Sequence, residues 1–401
     1  MTRQIQDAYI VAATRTPVGK APRGAFRNTR PDDMLAHVLR SVIAQAPGID
    51  VNRIDDAIIG CAMPEAEQGM NVARIGVLLA GLPNKIAAQT INRFCSSGLQ
   101  AVALAADQIR LGNADLMLAG GTESMSMVPM MGNKVALSPN VFKDDHVAIA
   151  YGMGITAEKV AEEWKVSRQD QDAFALASHQ KAIVAIQAGE FRGEISPFEI
   201  ISHLPDLARN TIQRKQLLVD TDEGPRADSS LEGLAKLRPV FRNGQFGGTV
   251  TAGNSSQMSD GAGAVLLASE QAIKDYGLTP LARFVSFSVA GVRPEVMGIG
   301  PIAAIPKALK QAGLTKDQLD WIELNEAFAA QALAVIRDSQ LDPAKVNPLG
   351  GAIALGHPLG ATGAVRTATI VHGMRRRQQK YGMVTMCIGT GMGAAGIFEA
   401  L

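Results

Sequence analysis

An internal repeat constrains the fold of this chain more than any other feature of its sequence. The segments 48–60 and 313–325 align without a gap, and in each a helix-ending glycine leads through a polar turn into an apolar strand. These predicted strands open at Ile54 and Leu319. Repetition of this kind indicates two copies of one structural unit. Such a chain is expected to carry its active site between the copies, near equivalent strand ends.

Strands and helices are predicted to alternate through both copies. The expected strands cover residues 8–14, 54–59, 86–91, 114–121, 264–268, 283–290, 319–324, 382–388 and 395–399. The expected helices cover residues 32–45, 71–81, 99–111, 327–338 and 361–377, with a further helix ending near Gly313. This alternation predicts an α/β fold around a largely parallel or mixed sheet.

A long segment without this alternation interrupts the first copy. Residues 124–248 are predicted to be mostly helical and irregular, and their clearest element is a helix with Ser167 as N-cap, Asp170 three positions later and Gly189 at its end. The segment is too long for a simple connection, so we expect an inserted domain. The predicted domains are 1–123 with 249–275, then 124–248, and 276–401, in keeping with a length of 401 residues.

Charge and cysteine content exclude several classes of protein. The net charge of +1 gives no electrostatic case for binding nucleic acid or an anionic membrane surface. No apolar run is long enough to span a bilayer, which argues against integral membrane association, and residues 1–7 lack the apolar core of a signal peptide. The three cysteines suggest neither a disulfide framework nor a zinc site. We therefore expect a cytoplasmic location.

Cys95 stands where a predicted strand passes into a predicted helix, within the segment Asn92–Gly98. The free N–H groups and the dipole of a helix N-terminus favour a thiolate, and Ser96 and Ser97 are residue types that cap helices. Cys95 is thus a candidate nucleophile. The alternative is a buried structural cysteine, which describes most cysteines.

Three stretches of the second copy carry further polar groups at strand ends. Asn325 follows a strand, where an amide can orient a water or donate to an oxyanion, although an ordinary turn or N-cap is the simpler interpretation. His357 lies among the five glycines of 350–363, although most isolated histidines have no catalytic role. Cys387 enters the glycine-rich turn 389–393, whose N–H groups can form an oxyanion hole. This turn is not a dinucleotide fingerprint, because a strand follows it.

Together these groups are suited to acyl transfer combined with carbon-acid chemistry. One thiol is acylated while the imidazole accepts its proton. The second thiol moves a proton to carbon, and fixed N–H groups stabilise an enolate or a tetrahedral oxyanion.

Four motifs, met in order along the chain, carry a family resemblance. They are Asn-Arg-Phe-Cys-Ser-Ser-Gly (92–98), Asn-Glu-Ala-Phe-Ala (325–329), Gly-Gly-Ala-Ile-Ala-Leu-Gly-His-Pro-Leu-Gly (350–360) and Cys-Ile-Gly-Thr-Gly-Met-Gly (387–393). Over nearly its whole length the chain resembles the degradative thiolases, the 3-ketoacyl-CoA thiolases or acetyl-CoA C-acyltransferases. The resemblance implies a thiolase fold of two βαβαβαββ halves layered as αβαβα, with a loop domain inserted into the first half.

The resemblance also implies a role for each catalytic group. Cys95 would accept the acyl group and His357 would activate it. Cys387 would protonate the departing acetyl-CoA carbanion and later deprotonate coenzyme A. Asn325 would hold a water that forms one oxyanion hole with His357, and the N–H groups of Cys95 and Gly389 would form the other.

Substrate and assembly are implied in the same way. Coenzyme A is expected as a substrate, with no permanently bound cofactor, and its site is expected in the inserted segment. Arg226 would lie near the nucleotide, and Met153, Phe241, Ser256 and Phe328 would line the pantetheine channel. The resemblance implies a homodimer or tetramer, and it allows association with a hydratase–dehydrogenase multienzyme subunit.

One departure from the family pattern bears on the subtype. Biosynthetic acetoacetyl-CoA thiolases typically read His-Met-Gly-x-Thr-Ala-Glu, whereas the segment Tyr151–Glu158 of this chain lacks that histidine. This favours thiolytic cleavage of 3-ketoacyl-CoA in fatty acid β-oxidation or related acyl degradation, with a biosynthetic acetyl-CoA C-acetyltransferase as the alternative. A decarboxylating condensing enzyme would normally place a second histidine where Cys387 stands. A non-catalytic lipid-binding scaffold would tolerate loss of Cys95, His357 or Cys387, and none of these is lost.

Overall fold

The computed structural model describes residues 5–241 and 248–401. Residues 1–4, which belong to the N-terminal segment interpreted above, and residues 242–247 lie outside the described ranges. The strands are β1 Tyr9–Arg15, β2 Gly19–Lys20, β3 Ile54–Gly60, β4 Ala87–Ile91, β5 Leu116–Ser124, β6 Phe198–Asp206, β7 Thr211–Val219, β8 Ser259–Ala268, β9 Ala282–Gly291, β10 Trp321–Leu324, β11 Tyr381–Ile388 and β12 Met392–Ala400. The α-helices are α1 Pro31–Ala44, α2 Val72–Leu79, α3 Ser97–Arg110, α4 Met153–Glu163, α5 Arg168–Gln187, α6 Leu231–Ala235, α7 Glu270–Tyr276, α8 Gly300–Ala312, α9 Ala329–Asp338, α10 Ala352–Leu355 and α11 Thr362–Arg376.

Most strands join one mixed sheet, in the order β10-β11-β12-β9-β1-β8-β5-β3-β4, with β2 attached to β8. The pairs β3–β4, β3–β5 and β10–β11 are parallel, and the other neighbours are antiparallel. The two halves of the sheet meet between β9 and β1 through two residue pairs, Tyr9 with Arg283 and Ile10 with Ala282. The predicted α/β fold with a mixed sheet is confirmed, and this short seam separates the two copies.

The helices form layers on both sides of each half of the sheet. Helices α1 and α2 pack with the strands of the first half in one apolar core, and α8 and α9 pack with the strands of the second half in another. A third core contains side chains of α3 and α11 together with strand residues of both halves. Since these two helices lie between the halves, the layers run α, β, α, β, α, as the family resemblance implies.

The repeat is visible in the backbone. Gly48 and Gly313 follow α1 and α8 with φ of +95° and +68°, a left-handed conformation that favours glycine. Strand β3 begins at Ile54 as predicted. Strand β10 begins at Trp321, two positions later than predicted, because the backbone and carboxylate of Asp320 are bonded to the start of β11.

A contact between two glycines lets α3 and α11 approach closely. Gly98 and Gly363 are separated by 265 positions, as are Gly48 and Gly313, so they are equivalent in the repeat. A Cβ at Gly98 would lie 2.7 Å from the backbone nitrogen of Ala364, and a Cβ at Gly363 would overlap the backbone nitrogen of Leu99. The first turns of the two helices therefore touch backbone to backbone.

The segment between β5 and β8 contains α4, α5, the β6–β7 hairpin and α6. The predicted long helix is confirmed as α5: the Ser167 Oγ accepts the N–H of Asp170 at 3.1 Å, and Gly189 follows with φ +71°. The prediction of mostly helical and irregular structure missed the hairpin. Most side chains of β6 and β7 are exposed or half-buried, so the pattern carries little apolar periodicity, and the strands are held mainly by pairing with each other.

Within the described ranges, no helix combines the length and the apolar character needed to cross a membrane.

Replacing Gly363 by Ala tests the close helix contact. The new methyl group would meet the backbone of α3, which cannot move aside as a side chain can, so we expect the free energy of unfolding to fall by about 3 kcal/mol. Gly152→Ala is the matched control, because a Cβ there meets no atom within 4 Å. Urea denaturation of both variants measures the effect. Equal stability of the two variants would contradict the proposed backbone contact.

Candidate active site

Cys95 lies in a tight turn, Phe94–Ser96, between β4 and α3. Phe94 has φ of +44°, and its N–H donates to the Oδ1 of Asn92 at 2.8 Å. The Ser97 Oγ accepts the N–H of Arg93 at 2.8 Å and donates to the carbonyl of Phe94 at 2.7 Å. Ser96 occupies the N-cap position of α3, but neither serine caps the helix through its side chain, because the Ser96 side chain makes no capping bond and the Ser97 Oγ bonds to the preceding turn. These contacts fix the turn and leave the Cys95 side chain 8% exposed.

Burial outweighs the helix terminus in setting the protonation of Cys95. Burial raises the pKa of Cys95 to about 11, although hydrogen bonds from the N–H groups of Gly389 and of Cys95 itself lower it. The expectation that the helix N-terminus by itself favours the thiolate is wrong for this buried site. The thiol needs a base.

His357 is a neutral base at this site. Burial, and in second place the charge of Arg366, lower the pKa of His357 to about 3. The Nδ1 lies 2.6 Å from the Oγ1 of Thr362, which donates to the carbonyl of Pro358 at 2.9 Å. Because the Thr362 hydroxyl donates there, Nδ1 carries the ring proton and Nε2 presents its lone pair.

Asn325 is bonded to that side of the imidazole. Its Nδ2 lies 3.3 Å from the Nε2 of His357. Its backbone is fixed by an N–H bond to the carbonyl of Thr385, at 2.9 Å, and by the amide of Gln331, at 3.2 Å from its carbonyl. The Oδ1 of Asn325 is buried and has no partner within residues 5–241 and 248–401. It is therefore available to a water or a substrate.

Cys387 lies near the end of β11 and is fully buried. Burial, followed by the charge of Cys95, raises the pKa of Cys387, so the two thiols lie within electrostatic reach of each other. Gly389 follows, and the chain turns at Thr390 and Gly391, with φ of +65° and +88°, into β12. This turn aims the N–H of Gly389 at the sulfur of Cys95.

The structure brings the predicted catalytic groups together from both copies. The turn of Cys95 packs against β11 and α11. Leu359, two positions after His357, lies in one apolar cluster with Cys95 and Met125. The arrangement therefore offers two protonated thiols, a neutral imidazole and directed N–H donors within one buried site.

An apolar cluster adjoins Cys387. It contains Phe328 together with the half-buried Met153 and Phe241, and the two phenylalanine rings pack edge to face with centroids 6.4 Å apart. The Ser256 N–H donates to the carbonyl of Ala327 at 2.9 Å, beside this cluster. The structure thus places all four residues predicted for the pantetheine channel in one neighbourhood.

Arg226 lies apart from that cluster, in a cavity of about 300 Å³ that also includes Lys20, His179 and Gln257. Its side chain is exposed and lies 3.5 Å from Asp228, and its N–H donates to the Nδ1 of His179 at 3.2 Å. Burial, and then the charge of Arg226, lower the pKa of His179 to about 4. A cavity of about 370 Å³ beside Phe191 contains none of the predicted residues.

Comparison with known proteins identifies the family. The model of the thiolase N-terminal domain matches residues 8–271, and that of the thiolase C-terminal domain matches residues 278–400. The chain belongs to the thiolase family.

Named thiolases are similar to the chain along its length. The 3-ketoacyl-CoA thiolase of Bacillus subtilis (strain 168) is 51% identical over 402 residues, covering 98% of this chain and 100% of that protein. The peroxisomal 3-ketoacyl-CoA thiolase A of Rattus norvegicus is 47% identical over 395 residues, covering 98% of this chain and 88% of that protein. The crystal structure of the Bacillus anthracis acetyl-CoA acetyltransferase matches with a TM-score of 0.89 at 38% identity, covering 100% of both chains.

Two residues of this thiolase site were missed by sequence reasoning. Thr362 fixes the imidazole tautomer, and its signal was its place at the start of the helix that follows His357. Glu123 lies buried at the carboxyl end of β5, just beyond the strand predicted over residues 114–121. A buried carboxylate at this edge of the sheet is the signal that could have identified it.

The three thiols Cys61, Cys95 and Cys387 are free. Among the described residues, no group of three or more His, Cys, Asp or Glu side chains is placed to hold a metal ion.

The neutral state of His357 predicts a pH-dependent stability. The pKa of His357 is about 3 in the fold and near 6.5 in an unfolded chain, so only the unfolded chain binds this proton between those pH values. Stability should therefore rise with pH from 3 to 6.5. His357→Asn should lower the slope of the free energy of unfolding against pH by the equivalent of one proton, which is about 1.4 kcal/mol per pH unit. Urea unfolding at several pH values measures both slopes, and identical slopes would show that His357 is not buried in neutral form.

Proposed function

We propose that this thiolase cleaves 3-ketoacyl-CoA with coenzyme A, giving acetyl-CoA and an acyl-CoA shortened by two carbons, in fatty acid β-oxidation or related acyl degradation. One observation carries the proposal: the turn of Cys95 packs against β11, the strand that carries Cys387, and the N–H of Gly389 is aimed at the sulfur of Cys95. A nucleophile and a proton donor to carbon are the two groups that this reaction needs.

In the first half-reaction, Cys95 attacks the 3-keto carbon of the substrate while the Nε2 of His357 takes its proton. The carbon–carbon bond then breaks, leaving the acyl group on the Cys95 sulfur and an enolate on the departing acetyl-CoA. Cys387 gives its proton to that carbanion. Asn325, with a bound water, and His357 are proposed to stabilise the enolate oxygen.

In the second half-reaction, the Cys387 thiolate takes the proton of the coenzyme A thiol. The resulting thiolate attacks the acyl-Cys95 thioester, whose oxyanion is stabilised by the N–H groups of Cys95 and Gly389. Cys95 leaves and recovers its proton from His357. Burial supports these roles, because it keeps each group protonated or neutral until a substrate is present.

We propose that coenzyme A spans from the cavity of Arg226 to the cluster of Met153, Phe241 and Phe328, with Ser256 beside it. Arg226 and Lys20 supply positive charge at the outer end, which suits the phosphates of a nucleotide. The apolar cluster borders Cys387 at the inner end, which suits a pantetheine arm. Coenzyme A acts in this proposal as a substrate, without a resident cofactor.

The domain division 1–123 with 249–275, 124–248 and 276–401 remains a prediction, with the middle part carrying much of the coenzyme A site. A cytoplasmic location, a homodimer or tetramer, and association with a hydratase–dehydrogenase subunit also remain predictions.

A biosynthetic acetyl-CoA C-acetyltransferase is the second candidate, favoured by the similarity to the Bacillus anthracis acetyl-CoA acetyltransferase. The segment Tyr151–Glu158 supports the degradative proposal, because it lacks the histidine that the biosynthetic pattern places there.

Substitution of the two thiols tests the mechanism. Cys95→Ala should abolish cleavage of acetoacetyl-CoA by coenzyme A, because no acyl-enzyme can form. Cys387→Ala should lower kcat by about 10²- to 10⁴-fold, the usual contribution of a proton donor. Cys61→Ser, which removes the third buried thiol but keeps a donor towards Glu123, is the matched control and should retain most activity. Unchanged turnover by the Cys95 variant would refute the mechanism.

Substrate length separates the two candidate functions. Initial rates of thiolysis should be measured for 3-ketoacyl-CoA substrates of increasing chain length, from the four-carbon substrate upward. We expect substrates longer than acetoacetyl-CoA to be cleaved, because the chain lacks the histidine of the biosynthetic pattern. Activity confined to acetoacetyl-CoA would instead support the biosynthetic alternative.

A further inference from the structure

We propose that Glu123 is a positioning residue, which fixes the turn carrying His357 relative to the turn carrying Cys95. This inference rests on the proposed function, because it assigns the residue a part in the same reaction. The histidine turn is His357–Gly360, and the nucleophile turn is Asn92–Cys95.

The carboxylate of Glu123 contacts the histidine turn directly. Its Oε2 accepts the N–H of Gly360 at 2.8 Å and the N–H of Ala62 at 2.7 Å. Ala62 follows β3 in the first copy, whereas Gly360 belongs to the second copy. A Cβ at Gly360 would lie 2.6 Å from the Cα of Cys61, so the two backbones are already in contact there. One carboxylate oxygen thus joins the two copies beside His357.

Two further hydrogen bonds connect Ala62 to the nucleophile turn. The carbonyl of Ala62 accepts the Asn92 Nδ2 at 3.0 Å, and the Asn92 Oδ1 accepts the N–H of Phe94 at 2.8 Å. Phe94 holds the positive φ that directly precedes Cys95. The position of Ala62 therefore influences the position of the nucleophile, and Glu123 holds Ala62.

The bonds of Glu123 require an acceptor at both oxygens. Besides the two N–H groups on Oε2, its Oε1 accepts the N–H of Met63 at 3.2 Å and the side-chain amide of Gln68. The amide oxygen of Gln68 in turn accepts the N–H of Ser124 at 3.0 Å. Both oxygens of a carboxylate can accept from these four N–H donors, and the Cys61 Sγ lies 4.0 Å from Oε1, whereas a glutamine would turn an NH₂ group towards the donors on one side. Glu123→Gln therefore keeps the shape of the side chain but removes the acceptor for the N–H donors on one of its two oxygens.

Kinetics distinguish a positioning role from a purely structural one. In Glu123→Gln we expect kcat for thiolysis to fall by about 10²-fold, because a displacement of about 1 Å between base and nucleophile is costly. The KM for coenzyme A should change less than about threefold, because none of the contacts of Glu123 lies in the cavity of Arg226. Glu194→Gln is the matched control. Glu194 is a fully buried carboxylate bonded to Arg15 and Thr369, so its variant should lose stability with kcat little changed.

Alkylation of Cys95 by iodoacetamide provides a readout that needs no turnover. Burial chiefly, and the charge of Glu123 to a lesser degree, raise the pKa of Cys95. If the carboxylate acted through its charge, Glu123→Gln would make the thiol more acidic and speed alkylation near neutral pH. Misplacement of His357 has the opposite effect, so we expect slower alkylation. Faster alkylation, or an unchanged rate with unchanged kcat, would overturn the proposal.

Asn92→Ala keeps the proposal testable if the Glu123 variant fails to fold. Asn92 is exposed, so its substitution should leave the fold intact while removing the hydrogen bonds that connect Ala62 to the nucleophile turn. We expect reduced kcat, slower alkylation and little change in the KM for coenzyme A. Wild-type values for this variant would overturn the proposal. Inactivity of the wild-type enzyme in thiolysis would refute the proposed function instead. The alkylation rates of the variants would still test the role of Glu123.

Discussion

The backbone contact between Gly98 and Gly363 is the constraint on which the rest of the structure depends. It sets the separation of α3 and α11, the two helices of the central layer. Cys95 precedes the first of these helices and His357 precedes the second, so the same contact sets how closely nucleophile and base can meet. The seam between β9 and β1 comprises two residue pairs, and the central layer therefore carries most of the packing between the halves.

Burial gives the site its chemical character. It raises the pKa of both thiols and lowers that of the imidazole, so the resting groups are uncharged in the pH range around neutrality. An ion pair between Cys95 and His357 would then form only with compensation from the directed N–H groups and a bound substrate. The turn after Cys387 provides such compensation, because it aims the N–H of Gly389 at the sulfur of Cys95.

The sequence was sufficient to predict those features that have a local signature. The N-cap serine and the terminal glycine located α5. Cys95 was marked by its place between a strand and a helix, and His357 and Cys387 were marked by glycine-rich stretches. Contacts between distant segments left no such signature. The bond from the Gly360 N–H to Glu123 depends on the packing of one copy on the other, and the bond from His357 to Thr362 depends on the orientation of one helix. The sign of the pKa shift at Cys95 was also missed, since burial is set by the whole fold.

The repeat also assigns partners to the site residues. Asn92 and His357 are separated by the same 265 positions as Gly98 and Gly363, and each stands just before a helix of the central layer. One copy has an amide there that fixes a backbone turn, and the other has an imidazole. Equivalent positions of the repeat thus hold a structural amide in one half and the proposed base in the other.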